Sequence, residues 1–167
     1  MTAQARTRST CKTEAVPLLL VRHARAGNRS KWRGDDRLRP LTRKGTRQAE
    51  GLVGLLDQLG PERILSSPFV RCVQTVAPLA AARGLDVEEV EELEEGRGRK
   101  AVLLLAGLAG SGPAVVACTH GDVVLEALRD LTSDGSGVPP SSKGAVWVLE
   151  RPKHGDGATA RYLPAPS

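Results

Sequence analysis

The sequence predicts a three-layer α/β/α sandwich around a mainly parallel central sheet. Three observations lead there. Short, continuous apolar runs recur along the 167 residues; without polar alternation, they suit strands buried on both faces. Between them lie longer segments whose apolar residues repeat every three to four positions, the pattern of helices that pack by one side. The two kinds of segment alternate, and that alternation pairs strands in parallel through crossover helices. A composition of 40% hydrophobic and 26% charged residues suits one globular domain. That domain is expected over residues 16–150. A polar, irregular tail over 1–15 precedes it, and a Pro- and Gly-rich segment over 151–167, with room for one edge strand near Tyr162, follows it.

The elements follow in order. The run VPLLLV (Val16–Val21) is the first buried strand. Residues 22–40 are charged, contain Gly27, Gly34 and Pro40, and form a long loop. Thr42 caps a helix to Leu59, whose stripe is Ala49, Leu52, Val53, Leu55, Leu56 and Leu59, and Gly60-Pro61 ends it. Arg63–Leu65 is a short strand. Ser67-Pro68 is a helix start with Ser as N-cap, and the helix runs past Pro78 to Gly84. Leu85–Val90 is an edge-like strand. A helix over Ala101–Ala109, a buried strand AVVAC (Ala114–Cys118), a helix over Asp122–Leu131, a Gly- and Ser-rich loop and a core strand AVWVL (Ala145–Leu149) complete the pattern.

Composition narrows the function. Only Trp32, Phe69, Trp147 and Tyr162 are aromatic, so a base-stacking platform is not expected, despite a net charge of +5. No nucleic-acid partner and no membrane partner is expected: no apolar run approaches the length of a spanning helix. Residues 1–15 hold no apolar secretory core, and Cys11, Cys72 and Cys118 are widely spaced and odd in number. Free thiols in a cytoplasmic protein are therefore expected. No CxxC or DxH pattern occurs, so neither a metal nor another cofactor is expected. The charge is unevenly placed: ten Lys or Arg against two Asp between Arg22 and Arg47, and seven carboxylates with no base between Asp86 and Glu95. One or two of Arg25, Arg29, Lys31, Arg33, Arg37 and Arg39 are expected to reach a substrate, the others to face solvent.

Ligands of parallel sheets bind at the carboxyl ends of the strands. Arg22-His23 follows the first strand, Ser66-Ser67-Pro68-Phe69-Val70-Arg71 the second, and Thr119-His120-Gly121-Asp122 the AVVAC strand. Two histidines and two arginines thus meet at one sheet edge. Guanidinium forks match phosphoryl oxygens, Arg71 falls in the first turn of its helix, and an imidazole can take a phosphoryl group covalently. A second, cationic imidazole would add a donor. Asn28 is a further candidate side-chain donor.

These blocks carry a resemblance. LLLVRHARAG resembles the Arg-His-Gly (RHG) signature of the histidine phosphatase superfamily, the phosphoglycerate mutase-like fold; SSPFVRCVQT and THGD resemble its second and third blocks. The match runs from residue 16 to residue 150 in order, and the short chain resembles the compact SixA-like branch. The stretch RHARAGNRSKWRGDDRLRPLTRKG also resembles the phosphatase-like domain that follows the Nudix domain in mycobacterial MutT-type nucleotide hydrolases; no Nudix box is present. The resemblance implies that His23 is the nucleophile and that Arg22, Arg71 and His120 line the phosphate pocket. It further implies a carboxylate proton donor in a Leu-x-Glu pattern, which Leu93-Glu94-Glu95 fits at Glu95; Glu92 and Glu94 are alternatives. Ala24 stands where the family usually has glycine. The implied activity is hydrolysis of a phosphate ester, phosphoramidate or phosphoanhydride through a phosphohistidine, without cofactor. The implied partner is a phosphorylated small molecule, a nucleotide or a phosphohistidine protein. The alternative is a weakly active or inactive phosphate- or nucleotide-binding module of the same fold.

Overall fold

The computed structural model describes residues 17–110, 112–133, 141–151 and 157–167. The 1–15 tail, Cys11, His154 and most of the Gly- and Ser-rich loop lie outside these residues. The described residues form the expected three layers. A six-stranded sheet contains β1 (Leu18–Arg22), β2 (Arg63–Ser66), β3 (Val87–Glu89), β4 (Val115–Thr119), β5 (Val146–Glu150) and β6 (Thr159–Leu163), in the order β3-β2-β4-β1-β5-β6. The pairs β2–β3, β2–β4 and β1–β4 are parallel; β1–β5 and β5–β6 are antiparallel. The helices are α1 (Arg43–Asp57), α2 (Val70–Arg83), α3 (Gly98–Leu108) and α4 (Gly121–Leu131).

The apolar run of β1 shows why the sheet is covered twice. Successive strand side chains point to opposite faces. Leu18 and Leu20 enter one core with residues of α3 and α4, while Leu19 and Val21 enter the other with residues of α1 and α2. All four are fully buried. β4 divides likewise: Val115 and Ala117 lie in the first core, Val116 and Cys118 in the second. Cys72 and Cys118 are free thiols packed within that second core, and the Cys72 Sγ also lies 3.6 Å from His120 Nε2.

Local chemistry sets the helix ends. The Thr42 hydroxyl accepts from the Gly45 amide at 3.1 Å and caps α1. Gly84 ends α2 in the left-handed region, at φ 64°, where glycine carries no Cβ penalty. The start of α2 departs from expectation. Its N-cap is Phe69, not Ser67, and no side chain caps it. The Ser67 hydroxyl lies instead 2.9 Å from His120 Nε2, a stronger contact than its 3.4 Å approach to the Phe69 amide. Pro78 lies inside α2, which continues through it. β6 pairs along its whole length with β5, and Pro166 beyond it reaches Gly51 on α1. The segment after Arg151 therefore adds a strand to the sheet. Among the described residues, no helix is long and apolar enough to cross a membrane.

Register places the functional edge. Arg22 pairs with Thr119, and Ser66 with Cys118. The next residues continue the ladder: the His23 amide donates to the Thr119 carbonyl and the Ser67 amide to the Cys118 carbonyl, both at 2.9 Å. Three parallel strands thus end at one level. The turn after β1 is held against α1 at Gly45, where a Cβ would overlap the Arg25 carbonyl. That carbonyl also accepts from the Thr42 amide at 2.9 Å and from its hydroxyl at 3.0 Å. Gly45→Ala is expected to cost about 1–3 kcal/mol, because backbone cannot yield as a flexible side chain can. Urea denaturation checks it, and a loss equal to that of Gly54→Ala, where a Cβ meets nothing within 4 Å, would refute the close approach.

Candidate active site

A cavity of about 660 Å³ opens at the shared end of the parallel strands. Arg22, His23, Arg25, Asn28, Arg29, Arg39, Arg71, Glu95 and Lys143 are among its lining residues. His120 stands behind His23, with ring centroids 5.4 Å apart. All six candidates singled out from the sequence therefore meet in one place.

His23 is 6% exposed. Its Nδ1 lies 2.8 Å from the carbonyl oxygen of Ala24. A carbonyl can only accept, so Nδ1 carries the proton and Nε2 keeps its lone pair. Burial lowers the imidazolium pKa from 6.5 to about 3; the Ala24 hydrogen bond opposes the shift, and the charges of His120, Arg71 and Arg22 add to it. The ring is thus neutral at physiological pH, with a free nitrogen. Ala24 is fixed in turn, since its amide donates to Thr75 Oγ1 at 2.9 Å and that hydroxyl donates to the Arg71 carbonyl at 2.6 Å.

Arg71 is 1% exposed. Its Nη1 donates to the Asp36 carbonyl at 2.8 Å, and its Nη2 lies 3.1 Å from Asp36 Oδ2 and 3.5 Å from Glu95 Oε2. The guanidinium also stacks 4.7 Å from the Phe69 ring centroid. Nη2 approaches His120 Nδ1 at 3.4 Å. Because a guanidinium cannot accept, that nitrogen is the acceptor and His120 Nε2–H donates to Ser67. His120 must therefore gain a proton at Nδ1 before that nitrogen can donate to an anion.

Arg22 donates from Nη1 to the Ser141 carbonyl, which ties β1 to the loop before β5. Gly121 explains the glycine after His120: a Cβ there would stand 2.8 Å from the Arg22 guanidinium carbon. Burial lowers the Arg22 pKa, and the charge of Asp122 counters it.

Of the three candidate acids, only Glu95 lines the cavity. A short 3-10 turn at Glu91–Leu93 buries Leu93 completely. The chain then turns Glu94 inward to Arg37 at 2.7 Å, while Glu92 stays exposed. The segment is pinned on both sides, by Thr119 Oγ1 donating to the Leu93 carbonyl at 2.6 Å and by the Gly96 amide donating to Asp122 at 2.7 Å. Both Glu95 oxygens take hydrogen bonds from Arg29, at 3.3 and 3.0 Å. The Asn28 carbonyl oxygen is occupied by Ser30 at 2.9 and 2.8 Å, so its contribution to a ligand is its amide group.

Arg25, Arg29 and Arg39 line the cavity, whereas Lys31 and Arg33 are exposed outside it. Sequence reasoning missed Asp36 and Lys143. Asp36 bonds Arg39 at 2.8 Å, Arg71 at 3.1 Å and Arg29 at 3.2 Å. Burial works to raise its carboxyl pKa, but the Arg39 hydrogen bond and the charges of Arg71, Arg39 and Arg29 hold it below the usual range. Its signal was one of two adjacent acids, Asp35 and Asp36, within a run of arginines. Lys143 had none beyond a charge in a loop. Among the described residues, no group of three or more His, Cys, Asp or Glu side chains is arranged to hold a metal.

Comparisons with known proteins bear on the fold and the family. A curated relative, the 8-oxo-(d)GTP phosphatase of Mycolicibacterium smegmatis, is 36% identical over 160 residues, covering 89% of this chain and 48% of that protein. The chain thus spans about half the length of that relative. A solved structure from Agrobacterium tumefaciens, assigned as the phosphohistidine phosphatase SixA, superposes with a TM-score of 0.72 at 25% identity, over 92% of this chain and 99% of that one. The protein histidine phosphatase SixA complexed with tungstate has the same fold, with a TM-score of 0.72 at 24% identity over 87% and 94% of the two chains. The sequence model of the histidine phosphatase superfamily (branch 1) matches residues 18–102, which takes in β1, the cavity loop, α1, β2, α2 and Glu95. With half of its length matched in this way, the chain belongs to the histidine phosphatase superfamily, branch 1.

Proposed function

We propose that this protein is a phosphatase that hydrolyses a phosphate ester, phosphoramidate or phosphoanhydride through a covalent phosphohistidine on His23. One observation carries the reading: a neutral imidazole whose Nδ1–H is tied to a backbone carbonyl and whose ring lines an arginine-rich cavity. Arg22 and Arg71 bind the phosphoryl oxygens, with Asn28 adding its amide and His120, once protonated, a further N–H. His23 Nε2 attacks phosphorus, an N–P bond forms and the bond to the leaving group breaks. The positive charge that develops on the ring is met at Nδ1–H by the Ala24 carbonyl. Water then attacks the phosphohistidine, releasing orthophosphate and the free imidazole. Glu95 protonates the leaving group and later takes a proton from water. A protonated Glu95 sets its O–H against the Arg29 fork, so incoming substrate must loosen that pair. Asp36 keeps Arg71 aimed, since a buried guanidinium needs a fixed partner.

The chemistry and the electrostatics can be tested separately. His23→Ala is expected to lower kcat towards an aryl phosphate by at least about a thousandfold. Unchanged turnover would defeat the proposal, and wild-type binding without turnover would favour a phosphate-binding module. Glu95→Gln is expected to slow alkyl esters, whose leaving groups need a proton, by about tenfold more than aryl esters; equal losses would remove Glu95 as the acid. Asp36→Asn leaves the buried Arg71 with one carboxylate fewer and is expected to cost about 3 kcal/mol in urea denaturation. Below 6.5 the unfolded chain protonates His23, while the folded chain does not until about 3. Stability therefore falls as pH drops through that window. Comparing urea midpoints at about pH 7 and about pH 4, His23→Gln is expected to lose less stability than wild type; parallel losses would contradict the buried neutral imidazole.

A further inference from the structure

The cavity holds more positive charge than one phosphoryl group can use. Among the described residues, six cations line it, Arg22, Arg25, Arg29, Arg39, Arg71 and Lys143, against a single lining carboxylate, Glu95. The ion pairs account for part of the excess. Arg29 is bound by Glu95 and Asp36, Arg39 by Asp36, and Arg71 shares both carboxylates. Arg22 and Arg71 belong to the transferred group. Arg25 and Lys143 make no ion pair with any described residue, yet both face the same cavity.

Their placement is built. Buried Gln48 joins them: its Oε1 accepts from the Arg25 amide at 3.0 Å and its Nε2 donates to the Lys143 carbonyl at 3.2 Å. The next residue, Gly144, donates to the Arg22 and His23 carbonyls at 3.0 and 3.1 Å, with φ 84°, a conformation that favours glycine. The Lys143 backbone is thereby anchored to the end of β1. Its ammonium stands in a field of like charge: burial lowers its pKa, and so do Arg22, Arg39, Arg25 and Arg71. Like charges held together without an anion repel, and a bound anion removes that repulsion.

We propose that Arg25 and Lys143 form a second anion subsite, which holds a phosphate group that is not transferred, so that the substrate carries two phosphates joined as a phosphoanhydride. This deepens the phosphatase reading and rests on it for the identity of the transferred group. The terminal phosphoryl moves to His23 Nε2 as the bridging P–O bond breaks. The electron pair of that bond stays with the bridging oxygen, which leaves as part of the inner phosphate, and water later cleaves the N–P bond. A phosphate is a good leaving group and requires little help from an acid, which suits a Glu95 whose two oxygens are held by Arg29. The described lining residues include no Phe, Tyr or Trp, so the anions rather than a stacked base carry recognition.

The test measures binding in the full chain bearing His23→Ala, where turnover is not needed. GDP is expected to bind at least about tenfold more tightly than GMP, and adding Arg25→Gln and Lys143→Gln is expected to reduce that ratio below about threefold. Exchanging the exposed Lys31 and Arg33 for Gln instead is expected to leave the ratio intact. A ratio near one before the exchanges, or one that survives them, overturns the subsite. Glucose 1,6-bisphosphate distinguishes the linkage: binding as tight as that of GDP overturns the anhydride assignment. Should the double exchange disturb folding, Lys143→Gln alone, at an exposed side chain, gives the same readout. Wild type that binds GDP over GMP but releases phosphate from an aryl ester and none from GDP overturns the anhydride assignment, whereas no release from any of the three would sink the phosphatase reading and, with it, the assignment of a transferred group.

Discussion

Three parallel strands stop at the same height, and the site follows from that constraint. β1, β4 and β2 are neighbours in the sheet, and their register brings His23, His120 and Ser67 to one rim although 97 residues of sequence separate the first two. Hydrogen bonds of 2.9 Å continue the ladder past the named strands, so the backbone of each functional segment is fixed before its side chain does anything. Catalysis by positioning needs that rigidity, because small misplacements of a nucleophile are costly. The apolar runs that looked like core are thus also what aims the chemistry.

The site concentrates charge in a way that does not favour folding. A guanidinium that is 1% exposed lies beside two imidazoles and a second arginine. Asp36 and Glu95 offset this, each bonded to more than one arginine. Neither carboxylate neutralises the cavity; they order it and leave unpaired cations facing inward. Departures from good local design are expected at functional sites, and this excess of like charge is one.

Much of this was legible in the sequence, for identifiable reasons. The LLLV run and the Ala49, Leu52 and Leu56 stripe report periodicity, which is local. The three site blocks were visible because histidine is rare in this chain and each block follows a strand. What escaped were side chains whose partners lie far away in sequence. Ser67 looks like an N-cap until His120, 53 residues on, claims its hydroxyl. Asp36 matters through Arg71, 35 residues away. Composition could not choose among Glu92, Glu94 and Glu95, because the choice depends on burial of Leu93 against the sheet and on pins from Thr119 and Asp122.

Gln48 is a clasp between two walls that share no sequence neighbourhood. It sits on α1, behind the lining, and its amide touches the backbone of both the turn after β1 and the loop before β5. The spacing of those walls is therefore set from outside the cavity, by how deeply α1 seats against the sheet through Leu52 and Leu56. Substitutions on the rear of that helix could widen or narrow the opening while every residue that meets substrate stays the same. Ligand preference in this fold can thus drift through packing, with the reacting groups untouched.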